Sequence, residues 1–120
     1  MEKRIFHLET CSTCKRIIKE LDIDGKGFEL QNIKAKKITP EQIDRMHELT
    51  GSYEALFSRR AMKFRSMGLK DKVLSEADYR QLILDEYTFL KRPVVLIGDQ
   101  IFIGSIKKNV EAAKQLIHAE

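Results

Sequence analysis

Residues 4–33 read RIFHLETCSTCKRIIKELDIDGKGFELQNI. Arg4–Leu8 is a short apolar run bounded by polar residues, the pattern of a buried first strand. After Glu9–Thr10, Ile17, Ile18 and Leu21 form one helical stripe, with Lys15, Arg16, Lys19 and Glu20 on the other sides. Gly25 and Gly27 end that helix. Gly27–Ile33 alternates apolar and polar residues and predicts a second strand. The opening is therefore strand, cysteine loop, helix, strand: a βαβ unit with Cys11 and Cys14 at the helix entrance.

The middle of the chain predicts helices. Thr39-Pro40-Glu41-Gln42 combines an N-cap threonine, a proline at the first helical position and a glutamine three residues after the cap. That helix runs to about Leu49 and stops near Gly51. A second piece begins near Ser52 and a third covers Ala61–Met67, ending at Gly68. Ser75-Glu76-Ala77-Asp78 is another cap signal, leading into a helix over YRQLILDEYTFL (79–90). Beyond it, Pro93–Ile97 is a continuous apolar run, Gly98-Asp99 a turn, and Ile101–Ile103 a returning strand. The final stretch, from Asn109, predicts a helix with Val110, Ala113, Leu116 and Ile117 as its apolar face. The order β-α-β, helices, β-β-α defines an α/β chain with a mixed sheet. It is read as a single domain, 1–120, with an inserted helical lobe at approximately 39–89.

Composition narrows the function classes. The 120 residues are 42% hydrophobic and 33% charged, ordinary for a globular domain and too polar for a membrane protein. No stretch approaches the roughly 18 apolar residues of a membrane span, and the N-terminus lacks a signal-peptide pattern. A cytoplasmic location is expected, where thiols stay reduced. Twenty-two basic against 18 acidic residues give a net charge of +4. The excess is concentrated in Phe57–Lys72, where Arg59, Arg60, Lys63, Arg65, Lys70 and Lys72 face only Asp71, a local +5. Such a run is either a solvated helix face or a lobe that supplies arginines to an oxyanion. Direct nucleic-acid binding would need exposed aromatics interleaved with the basic residues, whereas Phe57 and Phe64, seven apart, read as core.

Cys11 and Cys14 carry the chemistry. A thiolate at a helix N-terminus is stabilised by the helix dipole and unpaired N–H groups, and Lys15 and Arg16 place positive charge nearby. Cys11, ahead of the helix, is the better nucleophile. Cys14, one turn in, is placed to resolve a mixed disulfide or a sulfenate on Cys11. The three histidines, His7, His47 and His118, form no second close ligand pair, so no metal site is expected. Lys91-Arg92-Pro93 opens an otherwise core-like strand, a position where a proline is tolerated and, when cis, can face a cysteine loop.

Together these pieces resemble the thioredoxin-fold arsenate reductases and their relatives, the Spx-type transcriptional regulators. The resemblance rests on C-S-T-C-K-R entering a helix, the T-P-E-Q start, S-R-R-A-M-K-F followed by M-G-L-K-D-K, and F-L-K-R-P-V-V-L-I-G-D-Q-I-F-I-G. It implies a thioredoxin-like (glutaredoxin-type) sheet of four strands, with Pro93 cis. It also implies Cys11 as nucleophile, Arg92 as the arginine before the proline, and Lys15, Arg16 and Arg59 or Arg60 around an oxyanion. No resident cofactor is implied; the reductant would be an external thiol such as glutathione with glutaredoxin, or thioredoxin. Cys14 and Lys15 stand where the reductases carry serine and arginine. The Cys-x-x-Cys pair and the S-x-R-x-x-x-F pattern at Ser58, Arg60 and Phe64 resemble the regulators instead. In those the pair is a redox switch and the partner is the RNA polymerase α subunit.

Overall fold

A computed structural model describes residues 2–119. Its elements are β1 (Lys3–His7), α1 (Ser12–Leu21), β2 (Glu29–Asn32), α2 (Pro40–Thr50), α3 (Met62–Ser66), α4 (Glu76–Asp85), β3 (Val94–Ile97), β4 (Gln100–Ile103) and α5 (Lys107–Ile117), with single 3-10 turns at Glu54–Leu56, Leu69–Asp71 and Tyr87–Phe89. Met1–Lys36 with Arg92–Glu120 forms one compact unit and Lys37–Lys91 another.

The first unit holds the sheet, in the order β2-β1-β3-β4. β1 pairs in parallel with β2, Ile5 opposite Leu30, and antiparallel with β3, Ile5 opposite Val95. β3 and β4 form the expected hairpin, Val95 opposite Phe102. All four β3 residues are buried, which is why Val94–Ile97 reads as a continuous apolar run rather than an alternating one. Ile5, Val95 and Ile97 pack with Ile17 and Leu21 of α1 and Val110, Ala113 and Ile117 of α5 in one core cluster. Leu116, expected on the α5 apolar face, is instead 40% exposed. Its neighbour Ile117 takes the core position, and the i, i+3, i+7 set of Val110, Ala113 and Ile117 already fills the stripe. The Arg92–Pro93 peptide bond is cis, as the resemblance implied.

The second unit is held by caps and aromatics. Thr39 Oγ1 accepts from the Gln42 N–H at 3.1 Å, while the Thr39 N–H donates to Gln42 Oε1 at 3.1 Å. Ser75 and Asp78 make the same reciprocal pair at the start of α4. Each box satisfies two of the amides a helix start leaves without partners. Gly51 closes α2 at φ +78°, a left-handed conformation that glycine adopts without a Cβ clash.

Two expectations change here. The piece near Ser52 is only the turn Glu54–Leu56. The helix expected over 79–90 ends at Asp85, because Glu86 leaves helical space at φ −139°, ψ 111°. The Glu86 carboxylate then accepts from the Thr88 N–H at 3.1 Å and the Thr88 hydroxyl at 2.9 Å, which folds the chain into the Tyr87–Phe89 turn. Leu90 bridges antiparallel to Phe57. The Ser58 N–H donates to the Phe89 carbonyl at 2.7 Å and the Lys91 N–H to that of Leu56 at 2.8 Å. Phe57 and Phe64 do pack together, with centroids 6.0 Å apart, but across a chain bend rather than along one helix face.

Asp44 ties α2 to α4. Its carboxylate accepts from Arg80 at 2.8 and 3.2 Å and from the Tyr53 hydroxyl at 2.6 Å. The Arg80 bonds, then that of Tyr53, hold its acid well below the usual carboxylate range, at about 2 against an ordinary 3.8. A depressed acid stabilises the fold above its unfolded value, and that contribution is lost as pH falls through the folded one. Wild type should therefore lose stability in acid between about 4 and 2 more steeply than Asp44→Asn, as read by chemical denaturation across that range.

Candidate active site

The site is built at the joint between β1 and α1. The Cys11 N–H donates to the Leu8 carbonyl at 2.9 Å, and the Lys15 N–H to the Cys11 carbonyl at 3.1 Å. Cys11 is thus the N-cap residue of α1, with extended φ and ψ of −87° and 113°. It is partly exposed, whereas Cys14 is buried, and both are free thiols. The difference follows from the helix: Cys14 lies on the face of Ile17 and Leu21, which faces the core.

Their surroundings pull the two thiols apart. Burial raises the Cys11 pKa, but the Cys14 N–H, the Cys14 thiol, the charge of Arg92 and the Thr13 N–H together outweigh it, and the net shift is downward. Burial pushes Cys14 up; the Leu8 backbone opposes this, the hydrogen bond to Cys11 and the Cys11 charge add to it, and the result is about 11. The bond between the two sulfurs favours ionisation of Cys11 and holds the proton on Cys14. Of the two, Cys11 is the sulfur that ionises more readily.

The expected cations are distributed unevenly. Arg92, directly before cis-Pro93, supplies the largest charge contribution acting on Cys11. Lys15 is exposed. Arg16 runs along the outside of α1 towards Glu20, at 3.8 Å, one turn away from the helix start. In the other unit, Arg59 donates to Glu54 Oε2 at 2.7 Å and to the Tyr79 hydroxyl at 2.8 Å, and lies over the Tyr79 ring. Arg60 is exposed. Among the described residues, no cluster of three or more His, Cys, Asp or Glu side chains is arranged to hold a metal. No helix among them is long and apolar enough to cross a membrane.

One positioning residue escaped the sequence reading. Asn32, at the end of β2, donates to Glu9 Oε2 at 3.0 Å and accepts from the Glu9 N–H at 3.3 Å. The next residue, Ile33, donates its N–H to the His7 carbonyl at 2.9 Å. Together they fasten the loop that presents Cys11. A polar residue closing a strand opposite the cysteine loop is the signal that could have found it. Asn32→Ala should slow Cys11 alkylation several-fold while costing about 1 kcal/mol or less of stability, since these bonds are exposed. Alkylation rates and denaturant midpoints measure the two separately.

A partly exposed cysteine and a buried partner thiol at the entrance of the helix after β1, on a four-stranded mixed sheet, define a thioredoxin-like cysteine-pair protein. The chain belongs to the ArsC family, whose model matches residues 6–113. The uncharacterized protein YusI of Bacillus subtilis is 27% identical over 97 residues, 78% of this chain and 82% of that protein. An arsenate reductase from Vibrio cholerae superposes with a TM-score of 0.78 at 18% identity, over 94% of this chain and 98% of its own. SACOL0876 of Staphylococcus aureus gives a TM-score of 0.75 at 26% identity, over 92% and 96%.

Proposed function

We propose that the chain is a thiol-dependent oxidoreductase in which the Cys11 thiolate attacks an electrophilic centre and Cys14 resolves the product. The electrophile is either the arsenic of an arsenate-like oxyanion or a sulfur of a disulfide. The observation that carries this reading is the placement of two free thiols three residues apart at the start of α1, Cys11 partly exposed as its N-cap and Cys14 buried one turn in; the lowered pKa of Cys11 and the raised one of Cys14 agree with it. Arg92 stabilises the attacking thiolate, and Lys15, Arg16, Arg59 and Arg60 are the further candidates for anion contact. Membership of the ArsC family supports the same chemistry. An external reductant, glutathione with glutaredoxin or a thioredoxin, would recycle the cysteines. Wild-type protein should consume arsenate or a small disulfide in the presence of such a reductant, and Cys11→Ser should consume neither. Equal rates for wild type and Cys11→Ser on both substrates would overturn the reading.

The buried Cys14, hydrogen-bonded to Cys11, also favours a second reading: an Spx-like regulator switched by closure of that pair. Its partner would be the RNA polymerase α subunit. A pull-down with that subunit in reducing and in oxidising buffer decides, and binding in neither state rejects it.

A further inference from the structure

We infer that the exposed face of residues 60–73 docks an acidic amphipathic segment of a partner protein, whose carboxylates meet the cations there and whose apolar side chains cover Met62 and Val73. The inference concerns the second unit alone and is independent of the chemistry at Cys11. Folded proteins scatter single apolar side chains over their surfaces, so one exposed methionine carries no information. Here the exposed large apolar residues of the unit, Met62 at 88%, Met67 at 48% and the fully exposed Val73, all fall between positions 62 and 73. Arg60, Arg65, Lys70 and Lys72 stand among and beside them, each exposed. Among the described residues, none of these cations lies within ion-pair distance of a carboxylate, whereas Arg45, Arg59, Lys63 and Arg80 of the same unit each have one.

The face is held rather than free to fold away. Phe64 is engaged with the Phe57 ring and Leu69 is buried. The Met67 N–H donates to the Lys63 carbonyl at 2.9 Å, the Gly68 N–H to that of Arg65 at 3.0 Å and the Lys72 N–H to that of Leu69 at 3.1 Å. The Leu69–Asp71 turn packs on α3. With the inner side chains fixed, the outer ones stay in water unless another molecule covers them. Charge selects the sign of that molecule and apolar contact its class. Cations without partners draw carboxylates or phosphates. A nucleic acid would use the cations and leave Met62 and Val73 in water, and the ring that could stack on a base, Phe64, is occupied by Phe57. A lipid surface asks for bulky apolar residues along an amphipathic helix, and α3 spans only Met62–Ser66. Methionine and arginine, by contrast, are enriched where proteins meet, and an unbranched thioether adapts to the shape of its partner.

The test follows the fluorescence anisotropy of a labelled peptide of Glu-Glu-Leu-Leu repeats with the full-length protein. A Glu-Glu-Ser-Ser counterpart carries the same charge without the apolar side chains. The expected result is binding of the first at least about tenfold tighter than the second. Met62→Ser combined with Val73→Ser should remove most of that preference. Lys70→Glu combined with Lys72→Glu should weaken binding of both peptides at least about tenfold at low salt, and less as salt screens the charges. Thermal melts matching wild type verify that both double variants fold. Equal affinity for the two peptides, or binding of neither, overturns the inference. Binding that survives both double variants overturns its placement on this face. Displacement of the labelled peptide by a DNA duplex or by phosphatidylserine vesicles at a lower concentration than by unlabelled peptide assigns the surface to nucleic acid or to lipid, and overturns the inference as well.

Discussion

Cys11→Ser is expected to lower turnover by at least about three orders of magnitude, since the proposed function makes Cys11 the attacking sulfur, while leaving thermal unfolding nearly unchanged, because Cys11 is a partly exposed N-cap. The pH dependence gives the sharper signature. Only the thiolate is alkylated at an appreciable rate, so the rate follows its population. Cys11 has a lowered pKa; its alkylation by iodoacetamide should reach its plateau at a lower pH than that of an ordinary thiol and fall as pH drops through the lowered value. Cys14, at about 11, stays protonated and buried at neutral pH, so one equivalent of label is incorporated under native conditions and two only after unfolding. Cys14→Ala removes the thiol that donates to Cys11. It should therefore move the Cys11 midpoint upward, towards an ordinary thiol. Titration of initial alkylation rates in the three proteins measures all of this. A midpoint unchanged by Cys14→Ala would show that the two sulfurs do not share a proton.

The largest loss of stability is expected from Phe57→Ala. Phe57 is 1% exposed and packs against three other rings. Its centroid lies 4.9 Å from Tyr79, 5.0 Å from Phe89 and 6.0 Å from Phe64. Truncation removes the transfer free energy of the ring and leaves a cavity whose walls, on α4 and the Tyr87–Phe89 turn, are fixed by their own hydrogen bonds. A cost of about 3–5 kcal/mol follows, a fall in melting temperature of roughly 10–20 °C for a chain of this size. Phe57→Leu keeps most of the volume and should cost considerably less. Circular dichroism melts of the two variants check the order; equal losses would mean that ring contacts contribute nothing beyond volume.

The elements that could be read in advance are those whose cause lies within a few residues. The α2 and α4 starts were legible because a capping box is a three-residue device, and Thr39 with Gln42 and Ser75 with Asp78 close theirs as expected. The hairpin of β3 and β4 was legible from Pro93–Ile97 and Gly98-Asp99, since a buried strand needs unbroken apolar residues and the turn needs a glycine. The unequal exposure of Cys11 and Cys14 was legible from helical spacing. By contrast, the end of α4 was hidden: residues 79–90 have helical periodicity throughout, and Glu86 breaks it only because its carboxylate finds Thr88 while Leu90 pairs with Phe57. Leu116 and Ile117 are equally apolar neighbours, and only the packing of α5 selects which is buried.

The same division runs through the site. Sequence alone determined that a thiol pair enters a helix after the first strand, that an Arg-Pro opens the third, and that the basic charge gathers at 57–72. These are matters of composition, spacing and local backbone preference. Tertiary structure decided which charges remain available and which groups position the thiols. Arg59 is claimed by Glu54 and Tyr79, Arg16 lies along its own helix, Arg92 acts on Cys11, and Asn32 fastens the Glu9 loop. A charged side chain carries its sign in the sequence, but its partner is whatever the fold brings within about 3 Å, and at that distance direct hydrogen bonding outweighs bulk charge.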